Sequence, residues 1–268
     1  EFSAALRYTI VEPFDVLRHR QSAALAAFRD RVTWRSSLNE LAPFSGVHFS
    51  NELLDSMPVH VVRWSGTEWR ERHVDFQEDS FRFVDLPTSN RELIHHLARL
   101  PGTLPAGYET EVHLASFLWI EELAPKITRG FVLAVDYGFA RENFYAPHRT
   151  AGTLQVYAKH AVLRSPFEQI GHADITAHVE WSTFMEHAEE CGFEVAGLTD
   201  QHHFMSGLLA SELGWEFQSP NEAKTKRALQ TLLHPGFLGM KFQFLALSKE
   251  VDLVSPLSGF RFARSTPI

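Results

Sequence analysis

Asn51, Glu52 and Asp55 are spaced for chemistry. They follow GVHF at 46–49, an apolar run long enough for a buried strand. Ser50, Asn51 and Glu52 fall just past its end. Asp55 is three residues beyond Glu52, so the two carboxylates share a face if a helical turn starts here. Pro58 limits that turn and sends the chain on extended. Ligands of open α/β sheets bind outside the carboxyl ends of strands, so Asn-Glu-x-x-Asp is well placed to act on one. The same residues also read as a helix start, with Asn51 as cap and Glu52 at the positive end of the dipole. Two further strand ends carry polar groups. Glu12 closes RYTIV at 7–11, where an acid can accept from two ribose hydroxyls or be an ordinary surface glutamate. Asp136 and Tyr137 close GFVLAV at 130–135, either to orient a substrate nitrogen or hydroxyl, or as a turn residue and a packed ring.

These residues need a mixed α/β frame. The pattern predicts strands at 7–11, 32–35, 46–50, 130–135, 193–198 and 241–247. Helices are expected at 14–28, 90–97, 108–123, 204–213 and 222–233. Between 59 and 84 the pattern alternates, which predicts a β-rich insertion. There Arg63, Arg70, Arg72 and Arg82 are expected on a solvated face, and Trp64 and Trp69 as packing residues. In the helix at 108–123, Glu109 and Glu111 suit the first turn. Arg141, Tyr145 and Arg149 are expected in a mobile loop. A helix capped by Asp174 or Thr176, with His178 on its first turns, is expected to run to Cys191 and stop at Gly192. The tail from 255 is expected to be poorly ordered.

The chain has 268 residues, 44% hydrophobic and 22% charged, which suits one large globular domain. Its net charge is −8 and it has no Lys/Arg block, which argues against a nucleic-acid partner. The single cysteine, Cys191, excludes an internal disulfide framework and a Cys-rich zinc site. No apolar run reaches the roughly 18 residues of a membrane span. No metal is expected, because His172, Asp174 and His178 lack a third and fourth ligand in view.

NELLDSMPVH at 51–60 resembles the signature of the MidA family of class I S-adenosylmethionine-dependent methyltransferases. YTIVEPFDVLRHRQ before it, and GYETEVHLASFLWI, GFVLAVDYGFARENFY, GTLQVYAKH, GHADITAHVEWS, GFEVAGLTDQ and HPGFLGMKFQFLALSK after it, occur in family order. The resemblance implies a Rossmann-like, mostly parallel sheet with an antiparallel last strand and a β-rich insertion. The domain would span 1–250, with the insertion at about 59–86 and a tail at 251–268. It implies S-adenosyl-L-methionine as cofactor, with Glu12, Ser50, Asn51 and Leu38 as binding residues, Leu38 through its backbone. Asn51, Glu52 and Asp55 would be catalytic, the carboxylates aligning a guanidinium. Asp136, Tyr137, Asp174, Thr176 and His178 would line the substrate cleft, and Glu111 gains a minor claim. The family's activity points to an arginine-containing protein as partner and to respiratory complex I assembly. A homodimer is also expected, in a bacterial cytoplasm or a mitochondrial matrix. The resemblance places a first strand and a glycine-rich loop before residue 1, and Gly130 and Gly138 belong to another strand. A truncated chain is therefore expected, and a non-catalytic assembly protein with the same fold is the second reading.

Overall fold

The computed structural model describes residues 5–100, 104–159, 161–211 and 222–263. β1 (Tyr8–Val11), α1 (Asp15–Ala24) and β2 (Val32–Arg35) form a strand–helix–strand unit whose two strands pair in parallel. β3 (Phe44–Asn51) follows. Its even-numbered side chains turn inward, while Val47 and Phe49 are exposed.

A four-stranded antiparallel sheet comes next. It holds β4 (His60–Trp64), β5 (Trp69–Gln77), β6 (Ser80–Leu86) and β7 (Glu109–Val112), in the order β6-β5-β4-β7. α2 (Arg91–Leu97), capped by the Asn90 side chain, lies between β6 and β7 in the chain. Its Leu93 and Leu97 pack with Val62 and Val112 into a small core of their own. Trp64 and Trp69 pack together, with ring centroids 5.4 Å apart. The expected solvated arginine face is only partly so: Arg72 is 17% exposed and bonds Glu109 at 2.6 Å.

α3 (Leu114–Leu123) leads into β8 (Ile127–Phe139), the longest strand. The helix expected over 108–123 is thus a strand followed by a shorter helix. α4 (Arg141–Phe144), β9 (Gln155–Ala158), β10 (Ala161–Val162), β11 (Asp174–Thr176) and β12 (Val179–Glu180) follow. The expected mobile loop is ordered: Tyr145 is buried, and Arg141 bonds Glu186 at 2.6 Å. The expected helix start at 174–176 is strand. α5 (Trp181–Glu190) begins later, capped by Glu180, which accepts from Ser182 N–H at 2.7 Å and Thr183 N–H at 3.0 Å. It ends at Cys191, and Gly192 follows with a φ of +86°.

β13 (Glu194–Asp200), α6 (Gln201–Ser211), α7 (Glu222–Leu233) and β14 (Phe242–Lys249) complete the fold. Residues 212 and 213 of the expected helix lie outside the described residues. In the main sheet β8 is flanked by β3 in parallel and β14 in antiparallel fashion, with β12 parallel at its end. β13 pairs antiparallel to β14, so the sheet is mostly parallel with one reversed strand. This is the expected α/β architecture. Gly130 and Gly46 allow β3 and β8 to approach: a Cβ on Gly130 would stand 1.8 Å from Gly46 O. Val132, Ala134, Leu245 and Leu247 of this sheet pack with Ile120, Leu123, Trp181 and Phe184 of the helices. Each large side chain so buried contributes about 2 kcal/mol. Leu38 and Leu54 belong to the same core, and Val11 packs on it, which seats the β1–β2 unit against the main sheet. The tail is also packed in part, since Phe260 is buried, 5.3 Å from the Phe204 ring.

Candidate functional site

β3 ends alongside β8, with Asn51 paired to Val135. Glu52 N–H donates to Val135 O at 2.9 Å, and Glu52 then takes a φ of +50°. A left-handed turn here aims successive N–H groups one way, making an anion-binding concavity. Its anion is Asp136. Oδ2 accepts from the N–H groups of Leu53 (3.1 Å), Leu54 (2.8 Å) and Asp55 (3.4 Å), and Oδ1 from Tyr137 N–H at 2.9 Å. No helix forms at 51–55, so neither the helix start nor the shared helical face exists. The loop is organised by Asp136 instead. Nor does β8 stop at Val135: it continues to Phe139 because β14 and β12 still pair with it.

The result is a group of acids at one strand junction. Asp136 is 1% exposed, and burial, then the charge of Asp55, raises its pKa to about 7. Asp55 is 4% exposed. Burial, followed by the charges of Glu52 and Asp174, raises it to about 6. Burial also pushes Tyr137 up to about 12, helped by Glu52 and Asp55. Asn51 and Glu52 stay exposed, with Asn51 Nδ2 donating to Glu52 Oε1 at 3.2 Å. Clustered carboxylates that repel one another gain from a cation placed among them.

Aromatic rings close one side. Tyr137 packs on Phe242 at 4.3 Å, and His178 meets Tyr137 edge-on at 5.9 Å and stacks on Phe139 at 5.2 Å. Burial lowers the His178 pKa, so its ring is held neutral. Thr176 is half-buried, and Asp174 is exposed on β11 opposite Tyr157. Glu111 is the residue that sequence reasoning undervalued. It is 2% exposed on β7, and its carboxylate accepts from Thr153 N–H, Thr153 Oγ1 and Leu154 N–H at 2.9–3.0 Å. Thr153 Oγ1 in turn accepts from His178 N–H at 3.0 Å. Glu111 therefore positions the His178 wall through Thr153. Gly152 before it has a φ of +68°, and a Cβ there would stand 2.2 Å from Glu111 Oε1. The pair Glu111 and Gly152-Thr153 was visible in sequence only as two unconnected segments.

Of the expected cofactor residues, Ser50 and Asn51 end β3 at this junction, while Glu12 follows β1 and Leu38 follows β2. Glu12, just past β1, accepts from Phe14 N–H at 3.1 Å and Gln21 Nε2 at 3.0 Å. Each carboxylate oxygen keeps a lone pair for a hydroxyl donor. Ser50 is buried beneath the end of β3, and Leu38 has its side chain in the core, leaving only its backbone to a ligand. The chemistry of Glu12, Ser50 and Asn51 fits a polar nucleoside bearing vicinal hydroxyls.

The profile of a family of S-adenosyl-L-methionine-dependent methyltransferases matches residues 1–199. The chain belongs to this family. Among solved structures, this methyltransferase-family chain is similar to a COG1565 superfamily member from Burkholderia thailandensis bound to S-adenosyl-homocysteine. The TM-score is 0.83 at 31% identity, covering 97% of this chain and 68% of the other. A native crystal structure of a protein of the same superfamily and organism gives 0.85 at 31% identity, covering 97% and 70%. A protein arginine methyltransferase NDUFAF7 homolog, mitochondrial, from Caenorhabditis elegans is 25% identical over 224 residues. That match covers 81% of this chain, which spans about half (50%) of that curated relative. Among the described residues no helix is long and apolar enough to cross a membrane, and no group of three or more metal-ligating side chains occurs.

Proposed function

We propose that this chain carries the acceptor site of an S-adenosylmethionine-dependent methyltransferase whose acceptor is an arginine of a protein. The observation that carries the reading is the junction of Glu52, Asp55 and Asp136 where β3 ends beside β8. Burying acids this way is unfavourable for the fold, and such strained titrations concentrate at functional sites. That favours an enzyme over a scaffold that merely retains the fold.

Bound S-adenosylmethionine would supply an activated methyl group, with Glu12, Ser50, Asn51 and the backbone of Leu38 as its holders. The chain's own residues do the rest. Asp136 fixes the loop 53–55 and so the direction of Asp55. Glu52 and Asp55 pair with the planar guanidinium, whose fork of N–H donors matches carboxylate oxygens. Tyr137 and His178 wall the acceptor and exclude water, as neutral rings. Asn51 positions the acceptor beside Glu52. Alignment supplies most of the rate, since an arginine needs only a well-placed nitrogen and one proton acceptor. The relative's name supports a protein arginine as acceptor and a mitochondrial setting if the organism is eukaryotic. A role in complex I assembly and a homodimer belong to the same reading.

Two measurements test it. Calorimetry should detect S-adenosyl-homocysteine binding to the 268-residue chain. With radiolabelled S-adenosylmethionine, arginine peptides should gain label, lysine peptides should not, and Asp55→Asn should lower the rate at least about tenfold. Label on lysine alone, or an unchanged Asp55→Asn, contradicts the assignment.

A further inference from the structure

Beside the acid junction lies a groove of about 560 Å³ between the four-stranded sheet and the segment 166–177. That volume falls within the roughly 300–1,000 Å³ of ligand clefts. Its walls are apolar: Met57, Val59, Val74, Phe83, Phe167 and Ile175. Phe167 meets Phe83 at 4.8 Å. Val74 and Ile175 are 57% and 44% exposed, a high fraction for apolar side chains that share one cleft.

Two charged or titratable side chains of the groove have partners within the sheet. His60 bonds Glu71 at 2.6 Å. Arg72 bonds Glu109 at 2.6 Å and lies 4.3 Å over the Phe83 ring. Most of what remains to a ligand is apolar surface. The groove begins at Ser56, the residue after Asp55, and its far wall includes Thr176, two residues after Asp174. Two stretches of the groove lining thus adjoin the acid junction along the chain. An occupant must present a cation to one end and an apolar group to the other. In an extended chain, residues two apart point to the same face at about 3.3 Å rise each, which matches this adjacency.

We propose that the groove receives a large apolar or aromatic side chain of the acceptor protein, two residues from the methylated arginine. The inference rests on the arginine reading and deepens it: the acceptor is an extended segment with arginine and an apolar residue on one face. The acid junction selects the side chain to be modified, and the groove selects the sequence around it.

The test is fluorescence anisotropy of the 268-residue chain with labelled nine-residue peptides. Each has a central arginine, with either phenylalanine or alanine at both positions two residues away. The phenylalanine peptide is expected to bind about tenfold more tightly, as burial of one ring predicts. Val74→Asp and Ile170→Asp, two changes at exposed positions lining the groove, should bring that ratio close to one. A third peptide replaces arginine with citrulline, its neutral analogue. Equal binding of phenylalanine and alanine peptides, with arginine still preferred over citrulline, overturns the groove and leaves the acid site standing. A phenylalanine preference that persists with citrulline, with no loss of affinity, upholds the groove and overturns the arginine reading. No binding of any peptide overturns both.

Discussion

Within β8, beside the end of β3, Asp136 is 1% exposed and four backbone N–H groups converge on it. At the end of β1, Glu12 is held by one N–H and one side-chain amide, both within nine residues of it in sequence. The first acid ties together segments more than eighty residues apart and sits under a packed sheet. The second belongs to a two-stranded pair whose helix α1 buries no residue. The contrast separates two ways of using a carboxylate beside a strand terminus. Asp136 is structural first: it builds the loop that aims Asp55. Glu12 contributes little to its surroundings, which suits the proposed role of holding a ligand.

Substitutions can break that contrast. Asp136→Ala should have the largest effect, about 3–4 kcal/mol in urea denaturation, because it leaves several buried N–H groups without an acceptor. A loss below about 1 kcal/mol would mean that the loop is held by something else. Glu111→Gln comes next, at about 2 kcal/mol, since an amide cannot accept from all three donors of Thr153 and Leu154. Because Thr153 also holds His178 N–H, the same variant should weaken acceptor binding with no contact to the acceptor.

Asp55→Asn should change stability less and its pH dependence more. The Asp55 pKa is raised to about 6 in the folded chain, so its contribution to stability is fully present below about pH 4 and lost as pH rises through about 6. Removing the charge should flatten the decline between pH 4 and 7 in thermal melts, and an unchanged decline would assign it to the other acids that burial raises, Asp136, Glu111 and Glu180. Glu12→Ala should be the mildest, within about 0.5 kcal/mol of the parent, as for most surface changes. Yet it should abolish S-adenosyl-homocysteine binding in calorimetry. A stable Glu12→Ala that binds as well as the parent would remove Glu12 from the site and erase the contrast.

The existence of β3 and β8 was legible because both contain apolar runs, but the end of β8 was not: pairing with β14 and β12 carries it past Asp136 to Phe139. The antiparallel last strand was expected from the family resemblance, and the helix stop at Gly192 from the left-handed conformation that glycine adopts past a helix end. The loop at 51–55 was not, because its shape depends on Asp136, more than eighty residues away. Glu111 was misread because β7 has four residues, too few for a period, and runs directly into a helix whose apolar spacing masks the boundary. The start of α5 was misplaced because its cap is a glutamate, Glu180, and not the Ser, Thr, Asp or Asn usual there. Asp174 and Thr176 look like caps and are strand residues.

The central claim is that the acid junction holds a guanidinium. Calorimetric titration of the chain with an arginine peptide and its citrulline analogue, at pH 5.5 and 7.5, tests it most directly. Above pH 7 Asp55 and Asp136 are largely ionised, so arginine should bind at least about tenfold more tightly than citrulline, and the advantage should shrink at pH 5.5. Equal affinity of the two peptides at pH 7.5 would contradict the account.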